Sequence, residues 1–182
     1  MALLDELAVD AGAINVAEME EQIKAGPIPP EGLHHAVLRG FREGTANTGR
    51  KFRELVFEII AGPAKGMTVK ESLWNSDEAK GKNRVLLFAH RLGVLKRDGE
   101  KLVPIAGIND FGDVINKAQC FIDIKHKKRT YKTDKGEERE TTDAILSFEG
   151  IMPMDDKRAA NVARVGAVPP SSAAPKPKYA EL

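Results

Sequence analysis

The chain has 182 residues and a formal net charge of +1, so its length suits one domain with additional terminal segments. The charge is unevenly distributed along the chain. Residues 1–31 hold seven acidic residues and one basic residue, whereas residues 32–152 hold 22 basic and 17 acidic residues. A basic central region beside an acidic segment favours an anionic partner for that region.

Cysteine content and hydropathy argue against several protein classes. The single cysteine, Cys120, cannot form an intrachain disulfide, which is typical of a reducing cytoplasm. No apolar run approaches the roughly 20 residues that span a bilayer. Asp5 and Glu6 stand where a signal peptide would carry basic residues. We therefore expect a cytoplasmic protein without membrane contact.

The pattern of apolar residues divides the chain into three segments. Residues 1–31 are predicted to be an acidic, partly helical arm, which is either a partner-binding or dimer-forming helix, giving a homo-oligomer, or a loosely held segment. Residues 32–154 are predicted to be the folded domain. Residues 155–182 are rich in Pro, Ala and Lys and bury too little apolar surface to offset chain entropy, so they are predicted to be a disordered tail.

Alternating apolar and polar residues predict five strands in the central segment. The strands cover residues 33–42, 51–61, 67–74, 118–131 and 140–152. In the second strand, Leu55, Phe57 and Ile59 are predicted to share one face. In the third, Trp74 falls on the face opposite Leu73. The residues predicted to share one face of the first strand are His35, Val37, Arg39 and Phe41.

Between the third and fourth predicted strands, the spacing of the apolar residues changes from every second residue to a period of about 3.6 residues, which is typical of a helix. Val85, Phe88, Ala89 and Leu92 form a helical apolar stripe, which Gly93 ends. Residues 75–77 offer an N-cap. Residues 94–118 are less regular and are predicted to contain a short strand or apolar plug, followed by a short helical turn over residues 110–117. The element order β-β-β-α-β-β predicts a mainly β fold, a five-stranded OB-type barrel with a helix between strands three and four and flexible terminal arms.

The sequence contains no pattern typical of catalysis or metal binding. It lacks a phosphate-binding glycine loop that ends in Lys-Ser/Thr, a His-Glu-x-x-His motif and a cysteine pair. His34 and His35 would point to opposite faces of one strand, which is poor geometry for chelation. We therefore expect a protein that is not an enzyme and uses no cofactor or metal.

Two basic segments that also carry aromatic residues are the candidate functional sites. In an OB-type barrel, the loop between strands one and two and the hairpin of strands four and five flank a nucleic-acid groove. Cations neutralise phosphates, and a ring stacks on a base with about 1–3 kcal/mol. The candidate contacts around the first loop are Arg39, Arg42, Arg50, Lys51, Phe52, Arg53 and Trp74, and those on the hairpin are Lys125, Lys127, Lys128, Arg129, Tyr131 and Lys132.

Each candidate also has a purely structural interpretation. The acidic residues Glu137, Glu138 and Glu140 dilute the positive charge of the hairpin, and charged hairpins are common solvated tips. Phe52 is also a candidate core residue. Trp74 would either stack on a base or cover the end of the barrel against the helix.

The region from Gly32 to Met152 resembles the small phage- and prophage-encoded OB-fold proteins that bind single-stranded DNA. The resemblance is carried by the start Pro30-Glu31-Gly32-Leu33, by Arg39-Gly40-Phe41-Arg42-Glu43, by Ile59-Ile60-Ala61-Gly62 leading into Gly66-Met67, by Leu92-Gly93, and by the Pro- and Lys-rich tail. The acidic arm departs from that pattern.

The resemblance implies a non-catalytic protein that binds single-stranded DNA largely without sequence preference. It also implies recombination or replication proteins as further partners. The alternative is a protein–protein interaction or structural barrel module, which would use the Leu3, Leu4 and Leu7 group of the arm. A nuclease is disfavoured because no set of carboxylates suited to a metal stands out.

Overall fold

The structure is a computed structural model that describes residues 27–75, 79–133 and 136–170. In chain order its elements are β1 (Gly32–Thr45), β2 (Lys51–Ile59), β3 (Thr68–Trp74), α1 (Ala79–Arg91), β4 (Leu95–Asp98), β5 (Lys101–Pro104), β6 (Gln119–Lys132) and β7 (Glu138–Met152). Short 3₁₀ turns cover Phe111–Val114 and Lys157–Ala159. The described part is therefore mainly β with one α-helix. That helix is too short and too polar to cross a membrane.

Five antiparallel strands form one sheet in the order β3-β2-β1-β6-β7. These are the five strands predicted from the sequence, and each end lies within three residues of its predicted position. β4 and β5 form a separate two-stranded hairpin, where the sequence predicted only a short strand or a plug. The 3₁₀ turn at Phe111–Val114 confirms the predicted helical turn.

The inner face of the sheet packs against α1. Leu55, Phe57 and Ile59 of β2 are fully buried together, as their alternation predicted. The helix contributes Phe88 and Ala89 to the same core, and Gly93 ends it with a φ of +76° that favours glycine. The apolar stripe of α1 is therefore confirmed as the face that meets the sheet.

A β-bulge at Arg39 corrects the predicted faces of β1. Leu38 pairs with Phe57 and Gly40 pairs with Val56, so Arg39 is the extra residue in the ladder. Beyond this extra residue, the side chains that would have pointed to the outer face of the sheet point to the inner face, and the reverse. Phe41, predicted on the face of His35 and Arg39, therefore lies against the inner core, with its ring centroid 5.7 Å from that of Phe111.

β3 and β7 are the two edges of the sheet, and no ladder of the described strands joins them. The Arg84 side chain of α1 lies between these edges. Its Nη1 donates to Oε1 of Glu71 on β3 at 2.6 Å, and its Nε donates to the carbonyl oxygen of Phe148 on β7 at 3.0 Å. The open edge is thus bridged by a side chain, and the closed barrel predicted from the sequence is not confirmed.

Residues 153–170, here called the C-terminal strap, pack on the outer face of β1 and β6. Ala159 is fully buried with Phe121 and Met152 in a second, smaller core. The Arg164 guanidinium lies 4.7 Å from the Phe121 ring centroid. The structure therefore corrects the disordered tail predicted over residues 155–182, because residues 155–170 are packed on the sheet. The strap contacts come from isolated side chains on irregular backbone, which leave no periodic pattern in the sequence.

Several predictions concern residues outside the described ranges. They are the acidic arm over residues 1–26, the part of the helix N-cap at residues 76–78, the hairpin turn at residues 134–135, and the tail from residue 171 onward.

Candidate functional site

An aromatic pair lies on the outer face of β2 and β3. Phe52 and Trp74 are cross-strand partners, and their ring centroids are 5.1 Å apart. Gly44 of β1 stands opposite Phe52, and a Cβ at Gly44 would come within 2.5 Å of the Phe52 ring. Gly44 therefore makes room for the Phe52 ring. Such a pair stabilises a sheet by about 0.5–1.5 kcal/mol beyond its buried area.

Arginine side chains flank this aromatic pair. The Arg42 guanidinium carbon lies 5.8 Å from the Phe52 centroid, and that of Arg50 lies 5.6 Å from the Trp74 centroid. Arg50 also donates from Nε to the carbonyl oxygen of Asn75 at 3.0 Å. Because these cations lie over ring faces, cation–π attraction holds them at the surface.

A groove of about 680 Å³ runs from Trp74 to α1. Its walls include Arg50, Lys51 and Trp74 on one side and Lys82 and Leu86 of α1 on the other. Trp74 is 40% exposed and Leu86 is 43% exposed. Among the described residues, no carboxylate forms an ion pair with Lys51 or Lys82. We call this feature the aromatic groove.

Phe148 projects into an adjoining pocket of about 230 Å³ that Trp74 and Arg50 also line. Phe148 is 61% exposed, which is unusual for so large an apolar side chain. Lys80 Nζ lies 4.7 Å from its ring centroid. The groove and this pocket together place two exposed rings among cations.

The β6–β7 hairpin carries the second predicted group of contacts, and its cations are mostly paired with acids of the same hairpin. Its ion pairs are Lys125–Asp123 at 4.0 Å, Lys128–Glu140 at 3.8 Å, Arg129–Asp143 at 3.1 Å and Lys132–Glu138 at 3.8 Å. Lys127 is exposed, and Tyr131 is half-buried. Exposed pairs of this kind contribute roughly 0–1 kcal/mol to stability.

The structure separates the two predicted groups along β1. Thr45 pairs with Lys51 at one end of β1, and Gly32 pairs with Ile124 at the other end. β6 then continues beyond Gly32 toward Lys132 and away from the β1–β2 loop. Arg42, Arg50, Lys51, Phe52, Arg53 and Trp74 are brought together in one patch, and the hairpin residues form a second patch at the opposite end of the strand ladder.

Arg39 belongs to neither patch. Its Nε donates to a Glu58 carboxylate oxygen at 2.6 Å, its Nη1 to Asn116 Oδ1 at 2.9 Å, and its Nη2 to the carbonyl oxygen of Pro169 at 2.6 Å. The Arg39 side chain is only 9% exposed. The structure therefore corrects its prediction as a nucleic-acid contact, because the bulge turns it toward the C-terminal strap.

Four residues of the site were missed by the sequence analysis: Lys80, Lys82, Arg84 and Phe148. The first three lie in the first half of α1, where charged residues on a helix ordinarily suggest a solvated face. Phe148 follows Leu146 by two residues, and in a regular strand this spacing places two side chains on the same face. Only the fold shows that these residues lie beside Trp74.

Burial raises the pKa of two described side chains. Burial raises the pKa of the Cys120 thiol to about 12, which keeps it protonated and unreactive. Burial also raises the pKa of Glu71, although the ion pair with Arg84 opposes this effect. Within the described ranges, no three His, Cys, Asp or Glu side chains come together in a way that would hold a metal ion.

A scan against protein-family models and a search of curated proteins found no match to this chain.

Proposed function

We propose that the protein binds single-stranded DNA at the aromatic groove, largely without sequence preference and without catalysing a reaction on it. The observation that carries this proposal is the exposure of Trp74 in a groove lined by Arg50, Lys51 and Lys82. An exposed ring gives a stacking surface to any unpaired base, while cations neutralise the phosphates between bases.

The sheet order supports the proposal. β1 pairs with β2 along its second half and with β6 along its first half. This arrangement is the one expected of an OB-type barrel that closes between β3 and β7, where Arg84 already bridges the edges. We propose that the fold is of this type. OB-folds bind nucleic acid on the face of their second and third strands, which is the face that carries Phe52 and Trp74 here.

The open part of the outer face supports the same site. The C-terminal strap covers the part of the outer face formed by β1 and β6, where His35 and Phe121 are fully buried. On β2 and β3 the outer residues Lys70 and Trp74 are exposed. The uncovered part of the sheet is therefore the part that carries the aromatic pair.

The decisive experiment uses the only tryptophan of the chain as its reporter. Titration with oligo-dT at low salt should quench Trp74 fluorescence, and the quenching should be reversed by added salt because phosphate contacts release counterions. Duplex DNA of the same length is the control and should quench less, because its bases are already stacked. Absence of both quenching and binding at low salt would reject the proposal.

A nuclease control accompanies the titration. Labelled single-stranded DNA incubated with the protein and Mg²⁺ or Mn²⁺ should remain intact. Cutting that depends on the metal ion would contradict the non-catalytic part of the proposal.

A further inference from the structure

Phe148 stands on an irregular segment of β7. Ile124 pairs with Leu146 and Ile122 pairs with Ile151, so β7 has three more residues than β6 between these two pairs. The extra residues bulge out of the ladder. Gly150 has a φ of +70°, and a Cβ there would come within 2.6 Å of the buried Phe88 ring. The bulge is therefore a defined conformation that depends on glycine.

Arg84 holds this bulge from the helix side. Its Nε donates to the Phe148 carbonyl oxygen at 3.0 Å, its Nη2 donates to the Ser147 carbonyl oxygen at 3.3 Å, and its Nη1 donates to Glu71 at 2.6 Å. Its guanidinium carbon lies 5.0 Å from the Phe88 centroid and 5.8 Å from the Phe148 centroid. With these contacts made and its side chain 17% exposed, Arg84 is poorly placed to bind a phosphate.

Each exposed ring has its own cation. Arg50 lies 5.6 Å from the Trp74 centroid, and Lys80 lies 4.7 Å from the Phe148 centroid. All four side chains line the same pocket. A nucleotide offers one base to a ring and one phosphate to a cation, so two ring–cation pairs side by side match two nucleotides of one strand.

We propose that Phe148 is a second base-stacking surface and that Arg84 is the positioning residue that presents it. The aromatic groove and the adjoining Phe148 pocket then take at least two unpaired nucleotides, one on Trp74 with Arg50 and one on Phe148 with Lys80. This inference rests on the proposed function, since it assigns further residues to the same site.

The first test replaces the Phe148 ring. Affinity for fluorescein-labelled oligo-dT is measured by anisotropy for Phe148→Leu and for Phe148→Tyr, which keeps an aromatic ring. Phe148→Leu should weaken binding roughly five- to a hundredfold, and Phe148→Tyr should stay within about twofold of the unaltered protein. If Phe148→Leu binds as tightly as the unaltered protein, Phe148 is not a stacking surface.

The second test separates positioning by Arg84 from direct phosphate contact. The logarithm of the binding constant falls with the logarithm of salt concentration with a slope of about −0.7 per phosphate contact on single strands. Lys80→Ala should make this slope shallower by about 0.7. Arg84→Gln should weaken binding without changing the slope, because it removes the three hydrogen bonds that hold the bulge and a charge that contacts no phosphate. Unchanged affinity, or a slope that changes as in Lys80→Ala, would remove the positioning role.

A variant that changes only the backbone of the bulge tests its role independently of the Arg84 and Phe148 side chains. Gly150→Ala strains the bulge and leaves Arg84 and Phe148 in the sequence, so it should weaken binding as Phe148→Leu does. Thermal unfolding shows whether each variant is folded at the assay temperature, and only folded variants are compared. Full affinity in folded Gly150→Ala would contradict a role for the bulge.

The outcomes distinguish this inference from the proposed function. If the unaltered protein fails to bind oligo-dT or to quench Trp74, the proposed function fails. If it binds and quenches while the Phe148 and Arg84 variants behave like the unaltered protein, only the second stacking surface fails.

Discussion

The aromatic groove and the β6–β7 hairpin are both basic, but they hold their charges differently. Hairpin cations such as Arg129 and Lys132 face acidic partners across the same hairpin. In the groove, Arg50 lies over the exposed Trp74 ring, and no described carboxylate forms an ion pair with Lys51 or Lys82. Arg42 and Arg53 beside the groove are also paired, with Glu54 at 3.3 Å and with Glu43 at 3.2 Å. The exposed rings, together with Lys51 and Lys82, which pair with no described carboxylate, therefore distinguish the groove from the hairpin.

The ion pairs of a basic side chain affect how much it can contribute to binding a phosphate. A cation that already has an acidic neighbour must give up that interaction before it neutralises a phosphate, so its net contribution to binding is smaller. The cations over the Trp74 and Phe148 rings, Arg50 and Lys80, form no ion pair with a described carboxylate, so a cation displaced by a stacking base can contact a phosphate of the same strand. The proposed function therefore assigns the larger share of affinity to the groove and the smaller share to the hairpin.

The largest change in DNA affinity should come from removing the Trp74 ring, and the matched change on the hairpin removes the Tyr131 ring. Trp74→Ala should weaken oligo-dT binding roughly five- to a hundredfold, because it removes a stacking surface. Tyr131→Ala is the matched change on the hairpin, where the ring is half-buried, and it should weaken binding severalfold less. Anisotropy with labelled oligo-dT measures both, since Trp74→Ala has no tryptophan signal. A larger loss in Tyr131→Ala would reverse the ranking of the two regions.

Charge removal gives the next largest effect and sharpens the same comparison. The double variant Lys51→Ala/Lys82→Ala should have a shallower slope of the logarithm of the binding constant against the logarithm of salt concentration. The expected change is about 1.4, which corresponds to two lost phosphate contacts. Lys128→Ala with Lys132→Ala removes the same charge from the hairpin and should change the slope by less. Binding constants measured from about 50 to 200 mM salt provide both slopes. Equal slopes in the two double variants would mean that the regions share the phosphate contacts.

A smaller effect is expected from crowding the aromatic pair. Gly44→Ala places a methyl group within 2.5 Å of the Phe52 ring, so the ring must move and the pair with Trp74 must rearrange. We expect about 1–3 kcal/mol of lost stability, as for other overpacked sites, and a shift in Trp74 emission. Denaturant unfolding and fluorescence spectra measure the two effects. Gly166→Ala is the control, because open space surrounds Gly166.

The smallest effect concerns the covered part of the outer face. His35 is fully buried, its Nδ1 accepts the Val165 N–H at 3.1 Å, and its Nε2 then carries the proton donated to Gln119 Oε1 at 2.9 Å. Burial lowers the pKa of His35, and the nearby positive charge of Arg164 lowers it further. The fold therefore requires neutral His35.

The sign of the pH effect follows from this lowered pKa. Below about pH 6.5 the His35 imidazole binds a proton in the unfolded chain but stays neutral in the folded chain until its lowered pKa is reached. Stability should be constant above about pH 7 and should fall as the pH drops, by at most about 1.4 kcal/mol per pH unit, until the folded pKa is passed. Urea unfolding at several pH values measures this loss. The same slope in His35→Gln would assign the loss to other groups.

The strands and helix could be predicted from the sequence because each has a clear period. Leu55, Phe57 and Ile59 alternate, and Val85, Phe88 and Leu92 repeat at helical spacing. The Arg39 bulge could not be predicted, because one extra residue in a ladder leaves no mark in the apolar pattern. The C-terminal strap was missed for a similar reason, since its buried residues are irregularly spaced.

The candidate site could be predicted only in part. Arg50, Phe52 and Trp74 follow from the loop and strand that carry them. Phe148 and Lys80 join them through contacts between elements far apart in sequence, which no local pattern records. The ion pairs that neutralise the hairpin likewise depend on register, since Arg129 meets Asp143 only when β6 and β7 are aligned.

The buried position of Cys120 has a practical consequence for distance measurements. Its thiol is fully enclosed and its pKa is raised to about 12, so maleimide reagents will not reach it in the folded protein. A cysteine introduced as Thr130→Cys would thus be labelled selectively at the exposed hairpin. Trp74 is the single natural energy donor. Energy transfer between the two would report how far the hairpin lies from the groove, and whether one DNA strand can bridge them.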